Sequence, residues 1–94
     1  MTEHPVRHDR DASRFVVELD GAEAYLRYRQ VDEDTVDFRS TFVPQEFRGR
    51  GLAERIVRAA FAWAATEALR VIPSCSYVQR LAGHDPDLAA RTTR

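Results

Sequence analysis

Thr41-Phe42-Val43-Pro44-Gln45-Glu46-Phe47-Arg48-Gly49-Arg50-Gly51-Leu52-Ala53 is the stretch on which the fold turns, because the hydrophobic period changes across it. Before it, Val36, Phe38, Ser40 and Phe42 alternate at period two. This predicts a strand over 36–43 with those side chains on one face, ended by Pro44, which cannot donate to a sheet ladder. After it, Leu52, Ile56, Ala60 and Trp63 fall on one stripe, with Ala53, Val57, Ala64 and Ala68 beside it and Glu54, Arg55 and Arg58 facing away. That period predicts an amphipathic helix of about five turns over 52–69, alanine-rich enough to pack closely on a sheet.

Working outward, Arg70-Val71-Ile72 is β-branched and closed by Pro73, and it reads as a strand parallel to the one before the helix. A short helix over 76–82 then turns Tyr77, Val78 and Leu81 inward and stops at Gly83. Asp85-Pro86 has the form of an N-cap followed by proline at the first helical position. Upstream, Phe15, Val17 and Leu19 alternate up to Asp20-Gly21, a tight hairpin signal, and residues 24–31 alternate again to the acidic loop Asp32-Glu33-Asp34. The reading is an α/β fold: an antiparallel β-meander, a long crossover α-helix, a further parallel strand and short C-terminal helices. Residues 1–13, with only Val6 and Ala12 to bury, are expected to be a mobile leader, and 14–94 a single domain.

Ninety-four residues suffice for one hydrophobic core. The 14 basic residues, all arginine, stand against 15 acidic ones for a net charge of −1, so no global field steers the chain to nucleic acid or an anionic membrane. One cysteine cannot form an intramolecular disulfide, and no apolar run approaches the roughly 18 residues of a membrane span. A cytoplasmic, reducing location is expected, with no nucleic-acid or membrane partner, as a monomer or weak homodimer.

Any anion site is therefore local, and Arg48 to Ala53 has the chemistry for one. Glycines at a strand-to-helix turn let backbone N–H groups converge, and the helix N-terminus adds partial positive charge. Arg48 and Arg50 add forked cationic donors. A Walker A loop is excluded because no Lys-Ser or Lys-Thr follows the second glycine, and a dinucleotide fingerprint lacks its third glycine. An Arg-Gly nucleic-acid box, present in one copy, and a plain glycine turn with a solvated arginine pair stay open on spacing alone.

The stretch resembles motif A of the GCN5-related N-acetyltransferases, R/Q-x-x-G-x-G/A, with Arg48, Gly51 and Ala53 in its places. Phe15-Val16-Val17, Ala24-Tyr25-Leu26-Arg27-Tyr28, Thr41-Phe42-Val43-Pro44 and Cys75-Ser76-Tyr77-Val78 with His84 resemble the small single-domain acetyltransferase-like subfamily. The resemblance implies acetyl-coenzyme A or coenzyme A as ligand. Its pyrophosphate would lie on the backbone of Arg48, Gly49, Arg50, Gly51, Leu52 and Ala53, and its pantetheine beside Thr41, Phe42 and Val43. It also places Cys75 near the thioester and lets Tyr77 protonate a leaving thiolate. In that subfamily a histidine often precedes the threonine corresponding to Thr41, whereas Ser40 stands here, so that base is lacking.

The expected function is acetyl transfer from acetyl-coenzyme A to an amine, with no metal. The rivals are a coenzyme A-binding module without turnover and an interaction domain that has lost its ligand. Full members of the superfamily use an N-terminal strand and two helices for one wall of the acceptor pocket, and nothing before Phe15 can build that wall. Cys75 reads equally well as a buried structural thiol. His84 beside Asp85 and Asp87 has too few spaced ligands for a metal. Glu18, Glu23 and Glu46 act as bases only if the fold brings one to the cleft.

Overall fold

The computed structural model describes residues 4–93. Strands β1 (Arg7–Asp9), β2 (Arg14–Leu19), β3 (Ala22–Asp32) and β4 (Thr35–Phe42) lead through a 3-10 turn (Gln45–Phe47) into helix α1 (Leu52–Thr66). Strand β5 (Arg70–Ile72) and helices α2 (Ser76–Gly83) and α3 (Pro86–Arg91) follow. The sheet runs β1-β2-β3-β4-β5 in space, antiparallel throughout except for the parallel β4–β5 pair. Meander, crossover helix, parallel strand and short terminal helices all stand as the periodicity dictates.

The mobile leader does not hold from Arg7 onward. Arg7, His8 and Asp9 pair with Val16, Phe15 and Arg14, adding a strand outside β2. The reason is His8, which behaves as an aromatic. Its ring stacks on Phe15 at 4.1 Å, meets Trp63 edge-on at 4.9 Å, and sets Nε2 2.7 Å from the Tyr28 hydroxyl. Burial, with Arg10 acting in the same sense, lowers the imidazole pKa from its ordinary 6.5, so the neutral ring is favoured. Residues 1–3 of the expected leader, and Arg94, lie outside the described residues.

Helix α1 presents Leu52, Ile56, Val57, Ala60, Phe61 and Ala64 to one face of the sheet, where Phe15, Val17, Leu26, Val36 and Phe38 are buried. Phe61 meets Phe38 edge-to-face at 5.2 Å, the geometry aromatic quadrupoles favour. The helix ends at Thr66, short of the 52–69 that the apolar stripe predicts. Ala68 takes a left-handed φ of 56°, its N–H bonds Ala65 O at 3.2 Å, and the Leu69 N–H bonds Ala64 O at 2.8 Å. That is a Schellman closure, with alanine where glycine is usual.

A second departure lies in β4. Tyr28 pairs with Phe38 and Arg27 with Ser40, so Arg39 is an extra residue with no cross-strand partner, a β-bulge. A bulge reverses the alternation beyond it. Val36 and Phe38 point to the core as expected, but Thr41, opposite the buried Leu26, takes the core-facing side. Ser40 and Phe42 turn away, both exposed, and Phe42 packs on Tyr25 with centroids 5.6 Å apart. On that outer face Arg7 bonds Glu18 at 3.1 Å and Arg14 bonds Glu23 at 2.9 Å, beside a fully buried Val16. Among the described residues, no helix is long and apolar enough to cross a membrane.

Candidate functional site

The turn between β4 and α1 owes its shape to two backbone angles. Gly49 has φ 81° and Gly51 φ 77°, a region that costs other residues about 1–2 kcal/mol. A Cβ built on either would meet nothing within 4 Å. Glycine is therefore required here for its conformation, and the space in front of it is open. Gly51 is also the N-cap of α1 and has no side chain with which to cap. The first-turn amides of an α-helix have no intrahelical acceptor, so those of α1 are left for an external one.

A cleft of about 680 Å³ opens at this turn, between the end of β4 and α2. Thr41, Phe42, Val43, Arg48, Gly49, Gly51, Leu52 and Ala53 line it, as the sequence places them, together with Tyr77. Its shape follows from the sheet. Strand β5 pairs with β4 only at Thr35, Val36 and Asp37, and the Cys75 N–H then reaches Phe38 O at 3.0 Å. Beyond Phe38 the two strands part, and among the described residues the β4 edge from Arg39 to Phe42 has no strand partner on that side.

Two expected residues lie elsewhere. Arg50 is not in the lining; its guanidinium stands over the Phe47 ring, 5.5 Å from the centroid. Cys75, the N-cap of α2, is buried behind the lining, with Sγ 3.3 Å from Thr41 Oγ1. The bulge makes that contact, because without it Thr41 would face away from α2. Arg48 lines the cleft while its Nε donates to Val43 O at 2.9 Å, so it fastens the strand end to the turn.

Phe47, Glu54 and Arg80 line the cleft without having been singled out by sequence. Arg80 was within reach: it stands three residues after Tyr77 on a helix, and such pairs share a face. Its guanidinium lies 5.8 Å from the Tyr77 ring centroid. Burial, then the nearby Glu54 carboxylate, pushes the Tyr77 phenol above its ordinary pKa, so at neutral pH it keeps its proton. His84 is the C-cap of α2, and Asp85 caps α3 by accepting from the Asp87 and Leu88 amides. Among the described residues, no group of three or more His, Cys, Asp and Glu side chains could hold a metal ion.

Residues 14–91 match the sequence profile of the GCN5-related N-acetyl-transferase family. Protein NATD1 of Xenopus tropicalis is 39% identical over 83 residues, which cover 86% of this chain and 76% of that protein. The Homo sapiens Protein NATD1 is 36% identical over the same length, covering 86% of this chain and 74% of its own. The solution structure of a "GCN5-like putative N-acetyltransferase" from Staphylococcus aureus superposes with a TM-score of 0.78. That likeness is one of fold, at 22% identity, and spans 99% of this chain and 91% of that one.

Proposed function

The chain belongs to the GCN5-related N-acetyltransferases, a family that uses acetyl-coenzyme A, and from that premise we propose that it transfers acetyl from acetyl-coenzyme A to an amine. The observation that carries this reading is the cleft itself, which joins an uncapped helix N-terminus, a glycine turn and a splayed strand edge. The first-turn amides of α1 take the pyrophosphate oxygens, with Arg48 adding charge at their side. The uncovered β4 edge at Thr41 and Phe42, with Val43 just beyond it, offers backbone groups to the amides of the pantetheine arm and polarises the thioester carbonyl.

In this reading the amine nitrogen bonds to the carbonyl carbon as the carbon–sulfur bond breaks. Tyr77, held protonated, gives its proton to the departing thiolate, and the proton lost by the amine goes to solvent. Transfer is direct in this reading, because Cys75 is buried and outside the cleft lining, its thiol in contact with the Thr41 hydroxyl. Binding without turnover is the second reading, favoured by Ser40 where the subfamily often has histidine. It predicts the same affinity for coenzyme A and no acetylated amine.

A thermal melt tests the proposal. Coenzyme A at about a hundredfold over its dissociation constant stabilises by ~2.7 kcal/mol, a shift of several degrees in a domain this small. Gly51→Val, which puts a β-branched side chain at a left-handed φ and into the open space, should abolish the shift. Incubation with acetyl-coenzyme A alone should leave Cys75 unacetylated by mass, and the absence of lysine keeps that count simple. No shift with the unaltered protein would overturn the cleft assignment, and a hydroxylamine-labile acetyl on Cys75 would overturn direct transfer.

A further inference from the structure

We infer that the acetyl acceptor is a small amine carrying an anionic group, carboxylate or phosphate, and that Arg27, Arg29 and Arg39 bind that group. The inference rests on the transfer reading and names its substrate class. A second cavity, of about 470 Å³, is lined by Arg27, Tyr28, Arg29, Arg39 and Ser40. Its walls come from the bulge. Arg27 and Arg29 alternate on β3 with the core-facing Leu26 and Tyr28, while Arg39 is the β4 residue left without a cross-strand partner. Among the described residues, no acidic side chain lines this cavity.

The contrast with the rest of the same sheet face is what points to a ligand. Arg7 and Arg14 each hold a carboxylate there, Glu18 at 3.1 Å and Glu23 at 2.9 Å. Among the described residues, Arg27, Arg29 and Arg39 make no such pair. Asp37 is opposite Arg29 in register but outside the lining, and its Oδ1 is buried with no hydrogen-bond partner. Three arginine residues lining one cavity concentrate like charge there, and an anion offsets it through forked, charge-assisted bonds.

Position makes the anion part of the acceptor. Ser40 lines this cavity on the outer face and its neighbour Thr41, facing the core side, lines the cleft, so the two openings flank the same stretch of β4 edge that β5 leaves uncovered beyond Phe38. At about 3.4 Å per strand residue, the backbone of Arg39 lies roughly 7 Å from that of Thr41, and the acceptor reaches from one face to the other round the uncovered edge between them. An amine held at the thioester with its anionic group a few bonds away spans that gap, and anchoring the anion fixes the nitrogen for attack.

The test titrates matched amines into the coenzyme A-loaded protein while arginine side-chain resonances are followed. Phosphoethanolamine is compared with ethanolamine, and 4-aminobutanoate with 4-aminobutanamide. Each anionic amine is expected to bind about tenfold more tightly than its neutral twin, with changes at Arg27, Arg29 and Arg39. The preference should fall to about twofold in Arg27→Gln/Arg39→Gln and weaken as salt rises. The larger preference within the two pairs decides between phosphate and carboxylate. If coenzyme A binds yet the twins bind alike, the inference fails while the transfer reading stands. Changes confined to Arg48 and Arg80 would put the anion in the donor cleft and equally overturn it. A protein that takes up no coenzyme A sinks the transfer reading on which this one rests.

Discussion

Arg48 and Arg50 are interchangeable in the sequence, two exposed arginines around one glycine, and the fold gives them different work. Arg48 lines the cleft at the glycine turn with Nε committed to Val43 O, which leaves its terminal nitrogens open to an anion. Arg50 is spent on the Phe47 ring. Arg48→Ala is therefore expected to weaken coenzyme A binding by ~1–1.5 kcal/mol, about tenfold, less so at high salt, since the contact is charge-assisted and exposed. Arg50→Ala should stay within ~0.5 kcal/mol. Titration calorimetry at two salt concentrations decides it, and equal losses for both variants would contradict the assignment. Alternation along a loop carries no information about which of two neighbours turns inward, and that is why sequence grouped them. The glycines were legible because a left-handed φ leaves a mark in residue type; a side chain's partner does not.

At the scale of elements, the strands and helices were legible wherever period alone decides them, and were lost where one backbone residue breaks the period. Arg39 is such a residue: nothing in Val36-Asp37-Phe38-Arg39-Ser40 marks a bulge, yet it reverses Thr41 and Phe42 and so builds the contact to Cys75. Ala68 is another. It continues the apolar stripe of α1 in the sequence, but in the fold it is exposed and left-handed, closing the helix with bonds to Ala64 and Ala65. Glycine there removes the Cβ clash, worth about 1–2 kcal/mol, and gives back part through its more flexible unfolded chain. Ala68→Gly is thus expected to stabilise by ~0.5–1 kcal/mol, a rise in Tm of roughly 2–6 °C. Ala68 is exposed and outside the core, so no buried contact opposes the change. A fall in Tm would mean that the closure is not formed in solution.

For the whole molecule, the strand that sequence missed is the one that closes the sheet's outer edge, and it is docked by a titratable ring. Polarity counts assign Met1 to Ser13 to solvent because they score histidine as polar; within the Phe15, Tyr28 and Trp63 cluster a neutral imidazole is instead an aromatic wedge. Burial first, and Arg10 second, hold the folded pKa of His8 below 6.5, and the unfolded chain has no such constraint. Between those two values the unfolded state binds more protons, so stability rises with pH across the window. The contribution is full above about pH 6.5 and is lost as pH falls through the folded pKa. Asp85, held below its ordinary 3.8 chiefly by the Arg58 guanidinium, loses its contribution only at lower pH, so the two effects separate. Lowering the pH from 7.5 to 5.5 should therefore lower Tm and speed amide exchange in β1 and along β2 before β3 or α1 responds. His8→Phe retains the stack on Phe15 but cannot titrate, and its melting temperature should be nearly flat over the same range. An equal fall in both proteins would show that the strand is held by its backbone pairing alone and that another group senses the proton.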